Sequence, residues 1–234
     1  CDFVMQTPKV CPECGSTYLL KQGFGTERIE EEVKRLFPQA RTLRLDSDVS
    51  KVRQNVEKVL KKFQNQEADI LIGTQMIAKG HDFQNVTLVG VVLADMGLTM
   101  PSFRSSERTF QLITQAVGRA GRGSKKGKAM IQTYMPMHYA VRLGAKQDYT
   151  HFFQIEMNSR RMQQYPPYTY LISLTLTCIS EDKVHDIALE IKKMIEEENI
   201  EDITILGPTV PYIKKQGNMF VEQLLLKYKK AEKI

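Results

Sequence analysis

The sequence predicts an α/β chain: a doubly wound parallel sheet over residues 17–146, followed by a smaller α+β domain. Three observations carry this reading. Two nearly continuous apolar runs, residues 69–73 (DILIG) and 86–94 (VTLVGVVLA), have the composition of strands buried on both faces, as in a parallel sheet. Strand-like runs alternate with segments of helical spacing, the pattern of helices crossing between parallel strands. After Tyr165-Pro166-Pro167-Tyr168 the pattern changes to strand, helix, strand and final strand.

The elements follow in order. Residues 11–16 (CPECGS) form a cysteine knuckle that feeds the apolar run YLLKQGFG. Ile29, Val33, Leu36 and Phe37 fall at helical spacing, with Thr26 as the expected N-cap and Pro38 as the stop. Residues 40–46 (ARTLRLD) have strand character. Val52, Val56, Val59, Leu60 and Phe63 then mark a helix over 50–66. A helix over 105–120, the strand KAMIQTY and a short helix over 138–144 complete the alternating series. Residues 148–164 predict a long linking helix stopped by the proline corner. Beyond it come a strand at 170–178, a helix at 182–198 and strands at 203–206 and 220–228. The expected organisation is a cysteine-rich remnant at 1–16, the parallel domain at 17–146, linker and corner at 147–167, and the small domain at 168–234.

With 234 residues, 42% of them hydrophobic and 26% charged, the chain can bury one large or two ordinary cores, which excludes gross disorder. No run approaches the roughly 18 apolar residues of a spanning helix, and the N-terminus lacks the layout of a signal peptide. A soluble intracellular protein is the expectation, and the opening Cys1 in place of Met suggests a start inside a longer one. The net charge of +6 suits a polyanionic partner such as nucleic acid, though it also suits many enzymes.

Three segments carry chemistry. The strongest is Gln115-Ala116-Val117-Gly118-Arg119-Ala120-Gly121-Arg122-Gly123. Two arginines three apart lie on one side of a helix end, and the small residues between them allow close approach. Paired guanidiniums suit a polyphosphate, because each offers a fork of donors that stays charged as phosphoryl charge develops. A bare RxxR is ordinarily a solvated helix end; the full string is far more specific. The second segment, 72–83 (IGTQMIAKGHDF), ends a strand at Gly73 and opens a short helix, so backbone N–H groups and the Thr74 hydroxyl face the crevice beyond the strand. Taken alone it reads better as a turn capped by Thr74, and its position ahead of the double-arginine segment shifts the reading toward a phosphate site. The third is Cys11 and Cys14, the CxxC half of a tetrahedral zinc site, with Cys1 nearby. Cys178, alone in LISLTLTCIS, reads as core packing. His81, His138 and His151 show no ligand spacing and read as structural or exposed.

GTQMIAKGHDF followed by QAVGRAGRG resembles the fifth and sixth motifs of superfamily 2 helicases, which lie in the second RecA-like lobe. With CPECGS, GFGTERIEEE, LRLDSD, FRSSERTFQL and IQTY, the chain resembles the PriA family of bacterial replication-restart helicases from Cys1 to about Pro167, and more weakly through ILGP and QLLLK.

The resemblance implies that Arg119 and Arg122 reach the ATP γ-phosphate, with Gln115 beside them. It implies that Gly80 and Asp82 lie near the nucleotide and that Thr74 and Gln75 face the DNA strand. It also implies ATP with Mg²⁺ as cofactor, but no GxxxxGK[ST] occurs: the one Gly-Lys, Gly127-Lys128, precedes Ala129. The phosphate cradle therefore belongs to an upstream lobe, and this chain alone is expected not to hydrolyse ATP. In the family, four CxxC pairs bind two zinc ions in interleaved fashion. Cys1 matches the second cysteine of the third pair, and interleaving implies that it does not share a metal with Cys11 and Cys14, so zinc here is expected to be incomplete or absent. The implied function is ATP-dependent unwinding of branched DNA, 3′ to 5′, at stalled forks, with primosome assembly. The implied partners are forked or single-stranded DNA, primosome proteins and single-strand-binding proteins, in the bacterial cytoplasm at the nucleoid, with no membrane.

Two features depart from this pattern or read weakly. Asn218-Met219-Phe220-Val221 stands where relatives carry basic and aromatic residues, and the chain stops before the family's last domain would end. Tyr165-Pro166-Pro167-Tyr168 reads as a rigid corner in preference to a base-stacking platform. The rival functional class is a non-catalytic docking module for DNA or protein. The phosphate-facing arginines speak against it.

Overall fold

A computed structural model describes residues 10, 15–17, 25–45, 53–78, 83, 85–121 and 126–229. The described chain divides into two compact units, one within Leu20–Thr99 and Arg104–Phe152, the other drawn from Met100–Phe103 and the chain from Phe153 onward.

In the first unit, α1 (Thr26–Leu36) precedes β1 (Thr42–Leu45), α2 (Arg53–Gln64) and β2 (Ile70–Gly73). The residue before α1 is Gly25, so Thr26 opens the helix and does not cap it. β1 and β2 pair in parallel from Thr42 opposite Ile70 to Leu45 opposite Gly73. The apolar stripe of α2 meets this ladder: Val56, Val59, Leu60 and Phe63 pack with Leu45, Leu71, Ile77, Phe83 and Val86. Gly73 is dictated by this pairing, because a Cβ there would lie 2.2 Å from the Leu45 carbonyl oxygen.

The remaining elements of this unit are β3 (Leu88–Val91), α3 (Ser105–Val117), β4 (Lys128–Ile131) and α4 (Tyr139–Ala145). β3 and β4 again pair in parallel, Leu88 opposite Lys128 and Val91 opposite Ile131. Ile113 of α3 is fully buried with Ala94 and Val141, against Val91, Val117 and Ile131. Phe110 stacks on Phe152 at 4.0 Å beside Ala140 and Leu143.

Parallel pairing with helical crossovers is as expected. A single doubly wound sheet is not: among the described residues the strands form two separate two-stranded ladders. The run 86–94 misleads because only four of its residues are strand. Leu93 turns out at φ 52°, ψ 56°, and a 3-10 turn takes Ala94–Gly97. Nor is β3 buried on both faces, since Leu88 is 57% exposed.

The linking helix α5 (Tyr149–Met162) leads to the second unit, which holds β5 (Tyr170–Cys178), α6 (Glu181–Glu197), β6 (Ile203–Thr209), β7 (Lys215–Gln216) and β8 (Met219–Tyr228). β8 is central and antiparallel to β5 and β6, and the short β7 pairs antiparallel with the start of β8, Lys215 opposite Phe220. Val184 and Ala188 of α6 pack fully buried against β8, whose Leu224 and Tyr228 are fully buried in turn. Alternation along β5 gives its face: Ser173, Thr175 and Thr177 are exposed while Leu174 and Leu176 are half-buried. Cys178 is a half-buried free thiol.

Candidate nucleotide and nucleic-acid site

Arg119 sits in a short turn whose two ends are separately fixed. α3 runs to Val117, and Gly118 closes it in right-handed backbone geometry, donating to the Thr114 carbonyl at 3.0 Å. The next two amides, of Arg119 and Ala120, donate to Ala116 and Val117 at 3.0 and 3.2 Å, tightening the helix end. Gly121 then takes φ 77° and donates to Val86 at 3.0 Å, which ties the turn to the entry of β3. On its far side runs Gly127: a Cβ on Gly127 would lie 2.1 Å from the Gly121 nitrogen. Two glycines thus let the chain entering and the chain leaving residues 122–126 touch backbone to backbone. Gly127, which the sequence offers only as half of a Gly-Lys pair, has this packing role.

Gln115 is exposed on the last turn of α3 and Arg119 is half-buried just beyond it. Thr74 and Gln75 are exposed where β2 ends, and Gln75–Ala78 forms a 3-10 turn stabilised by the Ile77 amide donating to Thr74 at 3.2 Å. That turn packs against α3. The fold therefore brings the turn that follows Thr74 to the helix that carries Gln115 and ends two residues before Arg119. Arg122, Gly80, Asp82, Cys1, Cys11 and Cys14 lie outside the described residues. No group of three or more metal-ligating side chains occurs among the described residues.

The histidines have local partners. His138 caps α4, its Nδ1 accepting from the Ala140 amide at 3.2 Å, and stacks on Tyr139. His151 Nδ1 lies 2.7 Å from Asp148; His81 is outside the described residues. Tyr165 is engaged as a corner residue, stacked on Phe103 at 5.2 Å with the Lys227 ammonium 4.0 Å from its ring centre. Arg160, ion-paired with Glu156 at 2.7 Å, donates to the Pro166 carbonyl of the same corner at 3.4 Å and lies over the Phe103 ring.

Sequence reading missed two residues near this site. Asp95, buried in the 3-10 turn that follows β3, accepts from the Thr133 hydroxyl and from the Tyr134 and Met135 amides at 2.7 and 3.2 Å. Burial pushes its carboxyl up, but these donors outweigh burial and hold it below the ordinary value. The other is Gln147, whose side-chain amide donates to Thr114 at 3.2 Å. A lone aspartate after an apolar run was the only available signal for the first. Nothing in spacing signals the second.

Comparison with known proteins gives the family. The Helicase conserved C-terminal domain matches residues 20–124, and the Primosomal protein N C-terminal domain matches residues 161–233. The chain is thus a helicase C-terminal domain followed by a primosomal one. Replication restart protein PriA of Bacillus subtilis is 44% identical over the whole chain, which covers 29% of that protein. The Synechocystis protein of the same name is 40% identical over 97% of the chain and 27% of its own length, and that of Rickettsia typhi 38% over 97% and 35%. The chain belongs to the PriA family and spans about a third or less of these relatives' length.

Proposed function

We propose that this chain supplies the second, RecA-like motor lobe and the C-terminal domain of an ATP-dependent replication-restart DNA helicase. The observation that carries the proposal is the doubly fixed turn at Gly118–Gly121, which holds the Arg119 backbone just past the end of α3, the helix against which the Gln75 turn packs. A guanidinium held in a preset place stabilises charge on a transferred phosphoryl group without reorganising during the reaction. In this reading Arg119 and Arg122 meet the ATP γ-phosphate. Gln115, Gly80 and Asp82 border the nucleotide, and Thr74 and Gln75 track the DNA backbone. The first lobe supplies the phosphate loop and the ligands for Mg²⁺. Closing and opening of two lobes around ATP then moves the strand, 3′ to 5′, at stalled or branched forks. Primosome and single-strand-binding proteins are the protein partners, and the bacterial nucleoid the place of action. Cys1, Cys11 and Cys14 would contribute thiolates to zinc only with cysteines from the upstream array.

The test is complementation between lobes. This chain alone should release no phosphate from ATP with or without fork DNA. Substituted for the matching segment of a full-length PriA-family helicase, it should support DNA-stimulated hydrolysis. Hydrolysis by the chain alone, or a chimera that folds and binds DNA yet never hydrolyses ATP, would contradict the proposal.

A further inference from the structure

Gln147 occupies a position where glycine would cost less. α4 ends in a Schellman arrangement: the Asp148 amide donates to Leu143 at 3.0 Å and the Gln147 amide to Gly144 at 3.1 Å. The residue between, Gln147, takes φ 55°, a left-handed conformation that disfavours a side chain with Cβ. Such positions ordinarily hold glycine or asparagine. A strained residue that persists points to work done by its side chain. Here the side chain reaches α3 and donates from Nε2 to Thr114, the same carbonyl that closes the helix at Gly118. It also fills the space beside Gly118, where an added Cβ would lie 3.2 Å from Nε2. One amide therefore braces the start of the arginine turn, as Val86 and Gly127 brace its end.

We infer that Gln147 is a positioning residue for Arg119: it fixes the Thr114–Gly118 end of the turn and so sets where the guanidinium is presented to phosphate. The inference rests on the phosphate-facing role of Arg119 proposed above, and its test separates the two.

The probe is inorganic tripolyphosphate, titrated into the isotope-labelled chain while the Arg119 Nε–H and the amides of Gly118 to Gly121 are followed by NMR, with melting temperature measured in parallel. Gln147→Gly removes the donor and relieves the left-handed strain. It should leave melting unchanged or raised, yet weaken tripolyphosphate roughly three- to tenfold, the effect of one ordering hydrogen bond, and speed exchange of the turn amides. Gly118→Ala reaches the same contact from the other side, crowding the Gln147 amide in backbone geometry that alanine tolerates, and should weaken binding similarly. A purely structural Gln147 would instead lower the melting temperature with affinity intact, which overturns the inference. Arg119→Ala is the reference: if it leaves tripolyphosphate binding unchanged, the phosphate role itself is wrong and the inference falls with it. If Arg119→Ala abolishes binding while both Gln147→Gly and Gly118→Ala bind as the parent does, only the role of Gln147 is wrong.

Discussion

Asp95 shows how one buried carboxylate orders a loop. The Thr133 hydroxyl and the Tyr134 and Met135 amides all donate to it, so the carboxylate fixes where the chain leaves β4. Asparagine keeps the size but offers one acceptor oxygen, and Asp95→Asn should cost about 1–3 kcal/mol in urea unfolding near neutral pH. The pH dependence has a definite sign. The folded value lies below the ordinary 3.8, so the contribution is whole above about pH 5 and is lost as pH falls through the folded value. The gap between the parent chain and Asp95→Asn should thus be flat from about pH 5 to 8 and shrink below pH 4; a gap that widens in acid would contradict the assignment. Tyr228 and His185 make a contrasting pair in the second unit. Among the described residues the buried Tyr228 hydroxyl has no hydrogen-bond partner, whereas Glu222, also buried, has one oxygen 2.8 Å from His185 and the other without a partner among those residues. Tyr228→Phe should therefore be neutral or stabilising by about 1 kcal/mol, and His185→Ala should destabilise by about 1–3 kcal/mol. Chemical denaturation of both variants decides whether unpartnered polar groups are costs here. Sequence reading could rank neither residue, because both lie in an apolar strand or an amphipathic helix and differ only in what they face.

Among the elements, the turn between α3 and β4 is the most constrained. Alanine at Gly127 would press on the Gly121 backbone, which no rotamer change relieves, so Gly127→Ala should cost about 1–3 kcal/mol. Gly121→Ala adds a left-handed penalty at φ 77°, about 1–2 kcal/mol. Thermal melts losing no stability in either variant would show that the two backbones do not touch. Helix positions were legible throughout: α1, α2, α3 and α6 lie within three residues of their expected ends, because apolar spacing and stop residues are local signals. β5 falls at its expected residues for the same reason. Sheet assembly was not legible. Which four-residue strands pair, and that Val92 and Leu93 leave β3, depend on partners distant in sequence and on a left-handed turn at a leucine that no composition rule anticipates. The same limit hid the site's supports. Arg119 and Gln115 stood out as a motif, while Val86 and Gly127 act through backbone groups and Gln147 through a side-chain amide whose partner is a carbonyl 33 residues away, neither of which leaves a trace in spacing.

For the molecule as a whole, the net charge of +6 and the proposed strand-tracking role of Thr74 and Gln75 predict weak, sequence-independent binding to single-stranded or forked DNA that falls steeply with salt. Fluorescence anisotropy of labelled fork DNA at several salt concentrations checks this, and affinity independent of salt would exclude backbone contacts as its source. Thr74→Ala should weaken the single-strand component if that segment faces the strand. The central claim, however, is that Arg119 serves phosphoryl transfer, and one measurement reaches it directly. It is DNA-stimulated ATP hydrolysis by a full-length PriA-family chain carrying this segment, compared with its Arg119→Ala variant at equal DNA occupancy. Loss of a transition-state charge contact predicts a fall in turnover of about 10³-fold or more with DNA binding retained. A fall of less than about tenfold would contradict the role assigned to Arg119.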